Sequence, residues 1–167
     1  HKEYRRQRQM CIRDSSWVGA NSKYIAYYLD PRNFLNETDI FQFESLSFSK
    51  VQTKQGVSSI LKGTFMENTV EDSDGSALDY AQAFMDIGEE TGVSPYHLAS
   101  RVRQEQGLKG TSSLISGTYS GYKGYYNYFN VGAAGITSTL VIKNGLAYAK
   151  KAGWNTRYAA LEGGAKI

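Results

Sequence analysis

Glu105 lies on the apolar side of a predicted helix, where a carboxylate is unusual. The stretch 94–106 begins with Ser-Pro, an N-cap residue followed by a proline suited to the first helical position. Leu98, Val102 and Glu105 stand at i, i+4 and i+7, so Glu105 lies about 20° from Leu98 around the helix. A carboxylate there loses hydration and favours its protonated form, which is the state that a general acid requires. The alternative is an ordinary helix-end glutamate that pairs with Arg101 or a neighbouring lysine.

The segment after this helix lacks acidic residues and is rich in aromatic ones. No Asp or Glu occurs between positions 106 and 161, whereas six Lys and Arg do. The aromatic residues stand among glycines and are Tyr119, Tyr122, Tyr125, Tyr126, Tyr128 and Phe129. Aromatic rings offer flat platforms that suit the apolar faces of sugars, and nearby cations favour an anionic ligand. The alternatives are a plain tyrosine-rich loop and a groove for single-stranded nucleic acid.

The first fourteen residues, HKEYRRQRQMCIRD, do not read as part of a folded domain. They lack apolar periodicity, and their back-translation resembles a sequencing-library adapter, so we expect residues 1–14 to be non-native and 15–167 to form the domain. They carry five Lys/Arg and two Asp/Glu, so the rest of the chain holds fourteen of each sign and is neutral. A neutral domain argues against a nucleic-acid ligand. The alternative is a basic arm that binds nucleic acid or membrane.

Cysteine and histidine are too scarce for several kinds of chemistry. Cys11 falls within residues 1–14, which leaves the domain with no cysteine and with His97 as its one histidine. A cysteine nucleophile, a disulfide framework and a multi-histidine zinc site are therefore excluded. We expect no metal and no cofactor. The apolar runs fall short of the roughly 20 residues that cross a bilayer, so we expect no membrane insertion.

The elements that must position Glu105 and the aromatic residues are predicted to be mostly helical. Caps and apolar spacing predict an extended segment over 22–29, short helical turns over 34–48, an acidic loop over 68–75, and helices over 51–61, 76–91, 94–106, 142–151 and 157–167. A Tyr/Gly-rich lobe is predicted over 107–128. The last pattern ends without a cap, so we expect the domain to be truncated there. The fold class is α+β, mostly α.

Several stretches follow one another in a recognisable order. They are YYLDPRNFLNETDIFQFESLSF (27–48), GVSSILKGTFM (56–66), VSPYHLASRVRQEQG (93–107), YYNYFNVGA (125–133), KNGLAYAKKAGW (143–154) and ALEGGAKI (160–167). In this order they resemble the bacterial endo-β-N-acetylglucosaminidases of glycoside hydrolase family 73. The resemblance implies a lysozyme-like fold with the Tyr/Gly-rich lobe over a cleft, and an autolysin-type hydrolase secreted to the cell wall.

The resemblance also implies roles for individual residues. Glu105 falls on the general acid that protonates the β-1,4 glycosidic oxygen between N-acetylglucosamine and N-acetylmuramic acid in peptidoglycan glycan strands. Tyr126 falls on a catalytic helper. The other residues of the sugar cleft are Tyr122, Tyr125, Asn127, Tyr128, Phe129, Asn130 and Gly132. We expect a monomer whose partner is the glycan strand.

No carboxylate occurs between Glu105 and Glu162, whereas many members of the resembled family place a second carboxylate in the lobe after the acid, as a two-carboxylate mechanism requires. A second carboxylate has to come from Glu67, Glu71, Asp72, Asp74 or Glu162. The preferred hypothesis is substrate assistance, in which the 2-acetamido group of the substrate attacks the anomeric carbon. Two other functions fit the same residues: a lytic transglycosylase, and a non-catalytic module that binds cell-wall glycan.

Overall fold

The computed structural model describes residues 19–167, which belong to two compact units divided after Glu44. Residues 1–14, which we expect to be non-native, lie outside the described part of the chain. The first unit contains helix α1 (Ser22–Leu29) and two 3-10 turns (Pro31–Phe34 and Asp39–Phe43). The short helical turns predicted over 34–48 are therefore present in part. None of the described helices is long and apolar enough to cross a membrane.

The prediction of an extended segment over 22–29 is wrong, because these residues form α1. Its first turn is capped by the side chain of Asn21, which accepts a hydrogen bond from the backbone N–H of Lys23. Helical spacing then brings Tyr27 and Tyr28 onto Phe34, with ring centroids 5.6 and 5.7 Å away. Aromatic residues favour strands on average, but here this local aromatic cluster favours a helix.

The core of the second unit is built by helices α2 (Lys54–Leu61), α3 (Tyr80–Thr91) and α4 (Pro95–Gln106), and by a C-terminal helix, α6 (Arg157–Ala165). Their inner faces are apolar and closed to solvent. The residues that are entirely or almost entirely buried include Val57, Leu61, Phe84, Ile87, Leu98, Ala99, Val102, Ala160 and Leu161. Burial of these faces supplies the main driving force for folding of the unit.

A tight connection joins α3 to α4, as the sequence predicts. Gly92 ends α3 in the left-handed conformation (φ 74°), and the side chain of Ser94 caps α4. Gly88 allows the two helices to meet here, since a Cβ atom at this position would lie 2.8 Å from the carbonyl oxygen of Val93. The predicted boundaries of α4 are therefore confirmed, and they place Glu105 in its last turn.

The predicted start of α3 at Ser76 is wrong. Strand β1 (Val70–Glu71) pairs with strand β2 (Ala77–Leu78) in an antiparallel hairpin, with Val70 opposite Leu78. Ala77 and Leu78 therefore pair with β1 as a strand and do not join the helix, so α3 begins only at Tyr80. Asp79 caps it by accepting the N–H groups of Ala81 and Gln82.

Residues 107–137 form turns and bends without helix or strand, which agrees with the loop lobe predicted over 107–128. Helix α5 (Ser138–Ala152) follows and is capped by Thr137, so it begins four residues before the predicted 142. Gly145 lets the lobe approach α5 closely, because a Cβ atom there would lie 2.7 Å from the side chain of Leu114. The α+β, mostly α fold class is confirmed.

Candidate active site

Glu105 occupies the border between the buried and exposed faces of α4. Leu98, Val102 and Gln106 mark the inner face of the helix and are each at most 6% exposed, whereas the Glu105 side chain is 22% exposed. The sequence places Glu105 within the apolar stripe, but Gln106 takes the inner position. Glu105 is therefore partly shielded while its carboxylate stays within reach of solvent.

Both carboxylate oxygens of Glu105 are engaged by neighbouring side chains. Arg101, one turn earlier on α4, places Nη2 2.8 Å from Oε1. Asn130, from the loop lobe, donates a hydrogen bond from Nδ2 to Oε2 at 2.7 Å. The pairing with Arg101 that the sequence offered as an alternative is therefore present. The ion pair with Arg101 is accompanied by the hydrogen bond from Asn130, which lies 25 residues after Glu105 in the chain.

Asn130 is itself held in a single orientation. It is the one non-glycine residue with positive φ (55°) among the described residues, a conformation that asparagine tolerates better than most residues. Gln106 donates from Nε2 to the Asn130 side-chain oxygen Oδ1 at 2.9 Å, and to the backbone oxygen of Tyr128 at 2.8 Å. The neighbour of Glu105 on α4 thus anchors the residue that contacts Glu105.

Asn127 and Tyr128 lie in the interior rather than on an open surface. The amide of Asn127 is fully buried and donates to the backbone oxygens of Val131 and Gly145 at 2.8 and 2.9 Å, which fastens the lobe to α5. The hydroxyl of Tyr128 hydrogen bonds with that of Tyr80 at 2.9 Å. Burial raises the pKa of both hydroxyls above the ordinary tyrosine value.

Tyr126 connects the lobe to the β-hairpin. Its side chain is 5% exposed, and its hydroxyl accepts a hydrogen bond from Ser73 at 2.9 Å. The guanidinium carbon of Arg157, at the start of α6, lies 4.8 Å from the centre of the Tyr126 ring. Gly117 is required on the hydroxyl side, because a Cβ atom there would clash with Tyr126. The ring is therefore closely confined.

The outer aromatic residues of the lobe are more open. Tyr122 is half-buried and lies against Tyr119, with ring centroids 6.4 Å apart. Tyr125 is also half-buried, and the ammonium group of Lys150 lies 6.0 Å from its ring centre. Two further predicted site residues pack against helices, Phe129 against Gly164 in α6 and Gly132 against Tyr148 in α5. The predicted binding segment therefore contains buried residues, such as Asn127 and Tyr128, and partly exposed ones, such as Tyr122 and Tyr125.

Comparisons with known proteins agree with these motifs. No protein-family model matches the chain. Over 152 residues it is 32% identical to a beta-N-acetylglucosaminidase of Bacillus subtilis (strain 168), covering 90% of this chain and 16% of that relative. The crystal structure of S. aureus glucosaminidase B matches 92% of this chain and 56% of its own, at 28% identity and a TM-score of 0.67.

A third comparison concerns a catalytic glutamate-to-alanine mutant of S. aureus autolysin E in complex with the disaccharide NAG-NAM. It is 25% identical and has a TM-score of 0.50, covering 92% of this chain and 60% of that structure. This chain is homologous to bacterial glucosaminidases. The resemblance inferred from the motifs and the lysozyme-like fold are confirmed. The chain spans only 16% of the curated relative's length.

The carboxylates that the sequence offers as partners of Glu105 make their hydrogen bonds to other groups or lie exposed. Among residues 19–167, no hydrogen bond or ion pair joins Glu105 to another carboxylate. Three of the candidates are engaged elsewhere: Glu67 with the N–H of Gly63, Asp74 with Ser76, and Glu162 with Lys166. Asp72 is buried and accepts backbone N–H groups of α6, and Glu71 is exposed in β1.

Sequence reasoning missed two groups around the site. Gln106 is buried in line with Leu98 and Val102, so a polar residue on the apolar stripe was a signal available from the sequence. Ser73 and Arg157 surround Tyr126 from segments 53 and 31 residues away. No local pattern in the sequence predicts that contact.

Proposed function

We propose that this domain hydrolyses the β-1,4 bond between N-acetylglucosamine and N-acetylmuramic acid in peptidoglycan, with Glu105 as the general acid. The observation that carries the proposal is a half-buried carboxylate held from two sides, by Arg101 and Asn130. The homology to glucosaminidases and the bound disaccharide of the autolysin E structure support this choice of substrate.

Glu105 has to deliver a proton to the glycosidic oxygen as the sugar–oxygen bond breaks. The Arg101 guanidinium occupies Oε1 in this structure, so the Arg101 contact describes the resting site. Arg101 is half-exposed, and an incoming sugar can displace it from Oε1. The carboxyl group is then free to take a proton and pass it to the leaving group.

The nucleophile is the 2-acetamido group of the substrate in this proposal. Glu67, Asp72 and Asp74 are engaged within the protein, which favours substrate assistance over a catalytic role for these three carboxylates. Tyr126 is the helper that orients the acetamido group. Its hydroxyl lies 2.9 Å from Ser73, and a tyrosine hydroxyl can both accept a hydrogen bond and donate its own proton. This route predicts retention of configuration at the anomeric carbon.

Sugar contacts come from the more open residues of the lobe, while buried ones support them. Tyr122, Tyr125, Phe129, Asn130 and Gly132 form the binding surface, with Asn127 and Tyr128 beneath it. Rings of this kind stack on the apolar faces of sugars. We place the domain at the cell wall, secreted and monomeric, with the glycan strand as its partner.

The test is digestion of purified peptidoglycan by the 167-residue chain and by its Glu105→Gln variant. Products are reduced with borohydride and identified by mass spectrometry. New reduced N-acetylglucosamine ends, missing with the variant, would support the proposal. Anhydro-muramic ends would instead indicate a lytic transglycosylase. No cleavage, together with co-sedimentation on insoluble wall, would indicate a binding module.

A further inference from the structure

We propose that Gln106 is a positioning residue for the catalytic acid. It fixes the side-chain amide of Asn130 so that Nδ2 holds Oε2 of Glu105, and thereby leaves Oε1 as the oxygen that carries the transferable proton. This inference rests on the proposed role of Glu105.

The backbone carbonyl oxygen of Tyr128 can only accept a hydrogen bond, and this fixes the orientation of the Gln106 and Asn130 amides that lead to Glu105. The carbonyl oxygen of Tyr128 lies 2.8 Å from the Gln106 amide, so the group facing it must be the NH₂. The second proton of that NH₂ points to Asn130 at 2.9 Å, which must therefore present its oxygen. The NH₂ of Asn130 is then directed at Glu105.

Burial of the polar Gln106 side chain lowers the stability of the protein. Gln106 is 6% exposed, and its Oε1 has no hydrogen-bond partner among the described residues. An unsatisfied buried acceptor destabilises the folded protein, because it has lost its hydrogen bonds to water. A methionine of similar size would fill the space without that cost, but it would provide no donor. The donors of Gln106 are therefore the feature that distinguishes it from an apolar residue.

The chain of hydrogen bonds also selects one oxygen of the acid. In a neutral carboxyl group the carbonyl oxygen is the better acceptor, so the N–H of Asn130 favours the form with the proton on Oε1. Oε1 is the atom that Arg101 contacts at 2.8 Å. Since a guanidinium can only donate, Arg101 and the proton compete for the same oxygen.

A double-mutant cycle on kcat tests whether Gln106 acts through Asn130. Asn130→Gly removes the amide while keeping a residue that accepts positive φ. We expect Gln106→Met to lower kcat about tenfold in the native background and by less than twofold in the Asn130→Gly background, with KM nearly unchanged, because coupled residues are non-additive. Gln104→Met, at an exposed position on α4, is the control and should match the native protein. Equal losses in both backgrounds would overturn the proposal.

Asn130→Asp keeps the inference testable even if Gln106→Met does not fold. The aspartate has the same shape and can accept from Gln106, but it offers no donor to Glu105. We expect a loss of kcat at least as large as that of Asn130→Gly. Native activity in a folded Asn130→Asp variant would show that the N–H contact is dispensable.

An NMR measurement separates this inference from the proposed function, because it does not need activity. The side-chain NH₂ signals of Asn130 are assigned by their loss in Asn130→Gly. They should shift in Glu105→Gln and should broaden or split in Gln106→Met, where the amide can flip. Unchanged signals in Gln106→Met would overturn the positioning role. Shifted signals in a chain that cleaves no glycan would reject only the hydrolase proposal.

Discussion

Asp72 closes the first turn of the helix that begins at Arg157. Its Oδ1 accepts the backbone N–H of Arg157 at 2.7 Å, and its Oδ2 accepts that of Tyr158 at 3.0 Å. The Arg157 guanidinium in turn covers the ring of Tyr126. One buried carboxylate therefore connects the β-hairpin, the last helix and the predicted catalytic tyrosine.

We expect Asp72→Asn to lower the free energy of unfolding by about 1–3 kcal/mol, because a buried charged acceptor of helix N–H groups is lost. Urea denaturation followed by circular dichroism measures the change. Glu71→Gln, one residue earlier and exposed in β1, is the control and should change stability by less than about 0.5 kcal/mol. Equal effects of the two substitutions would contradict the assigned role of Asp72.

The cap of α3 predicts a pH dependence of stability. The ion pair with Lys54, followed by the N–H groups of Gln82 and Ala81, holds the pKa of Asp79 below its ordinary value, against an opposing effect of burial. The resulting stabilisation is complete above the unfolded pKa of about 3.9 and is lost as pH falls through the lower folded value.

Asp79→Asn keeps an oxygen for the cap but cannot titrate. We therefore expect its melting temperature to lie below that of the native protein at pH 6 and to approach it as the pH falls below about 3.9. Thermal denaturation across this range measures the difference. A constant difference between the two proteins at all pH values would show that Asp79 is not responsible.

Arg101→Gln should leave kcat within about twofold of the native value. When Glu105 carries the transferable proton on Oε1, the Arg101 guanidinium cannot also donate to that oxygen. The contact between Arg101 and Glu105 therefore belongs to the resting site and does not contribute to bond cleavage. Steady-state kinetics on soluble glycan fragments measures kcat. Arg103→Gln, which removes a bond to the backbone oxygen of Ile60, controls for the loss of one cation from α4. A hundredfold loss specific to Arg101→Gln would place Arg101 in the transition state.

Tyr126→Phe should lower kcat about 10²-fold or more while the fold is retained, because the ring stays beneath Arg157 and the hydroxyl, with its proton and its contact to Ser73, is lost. Ser73→Ala is the matched variant, since it removes the donor to the same hydroxyl. Its effect on kcat should be much smaller. A Tyr126→Phe variant with native kcat would limit Tyr126 to a structural role.

Features that depend on neighbouring residues could be predicted from the amino-acid sequence. Ser-Pro at 94–95 and Gly92 set the ends of α3 and α4, because caps and positive φ act within one helical turn. Apolar spacing gave the mostly helical class and drew attention to Glu105. The motif order was sufficient for the glucosaminidase resemblance.

Features that depend on residues far apart in the chain could be read only from the folded structure. Pairing with β1 delayed the start of α3 to Tyr80, and packing onto Phe34 made residues 22–29 helical. The hydrogen bond between Asn130 and Glu105 joins residues 25 positions apart. Local propensity cannot encode that contact, because it exists only once α4 and the lobe have packed and Gln106 has fixed the amide that meets the acid.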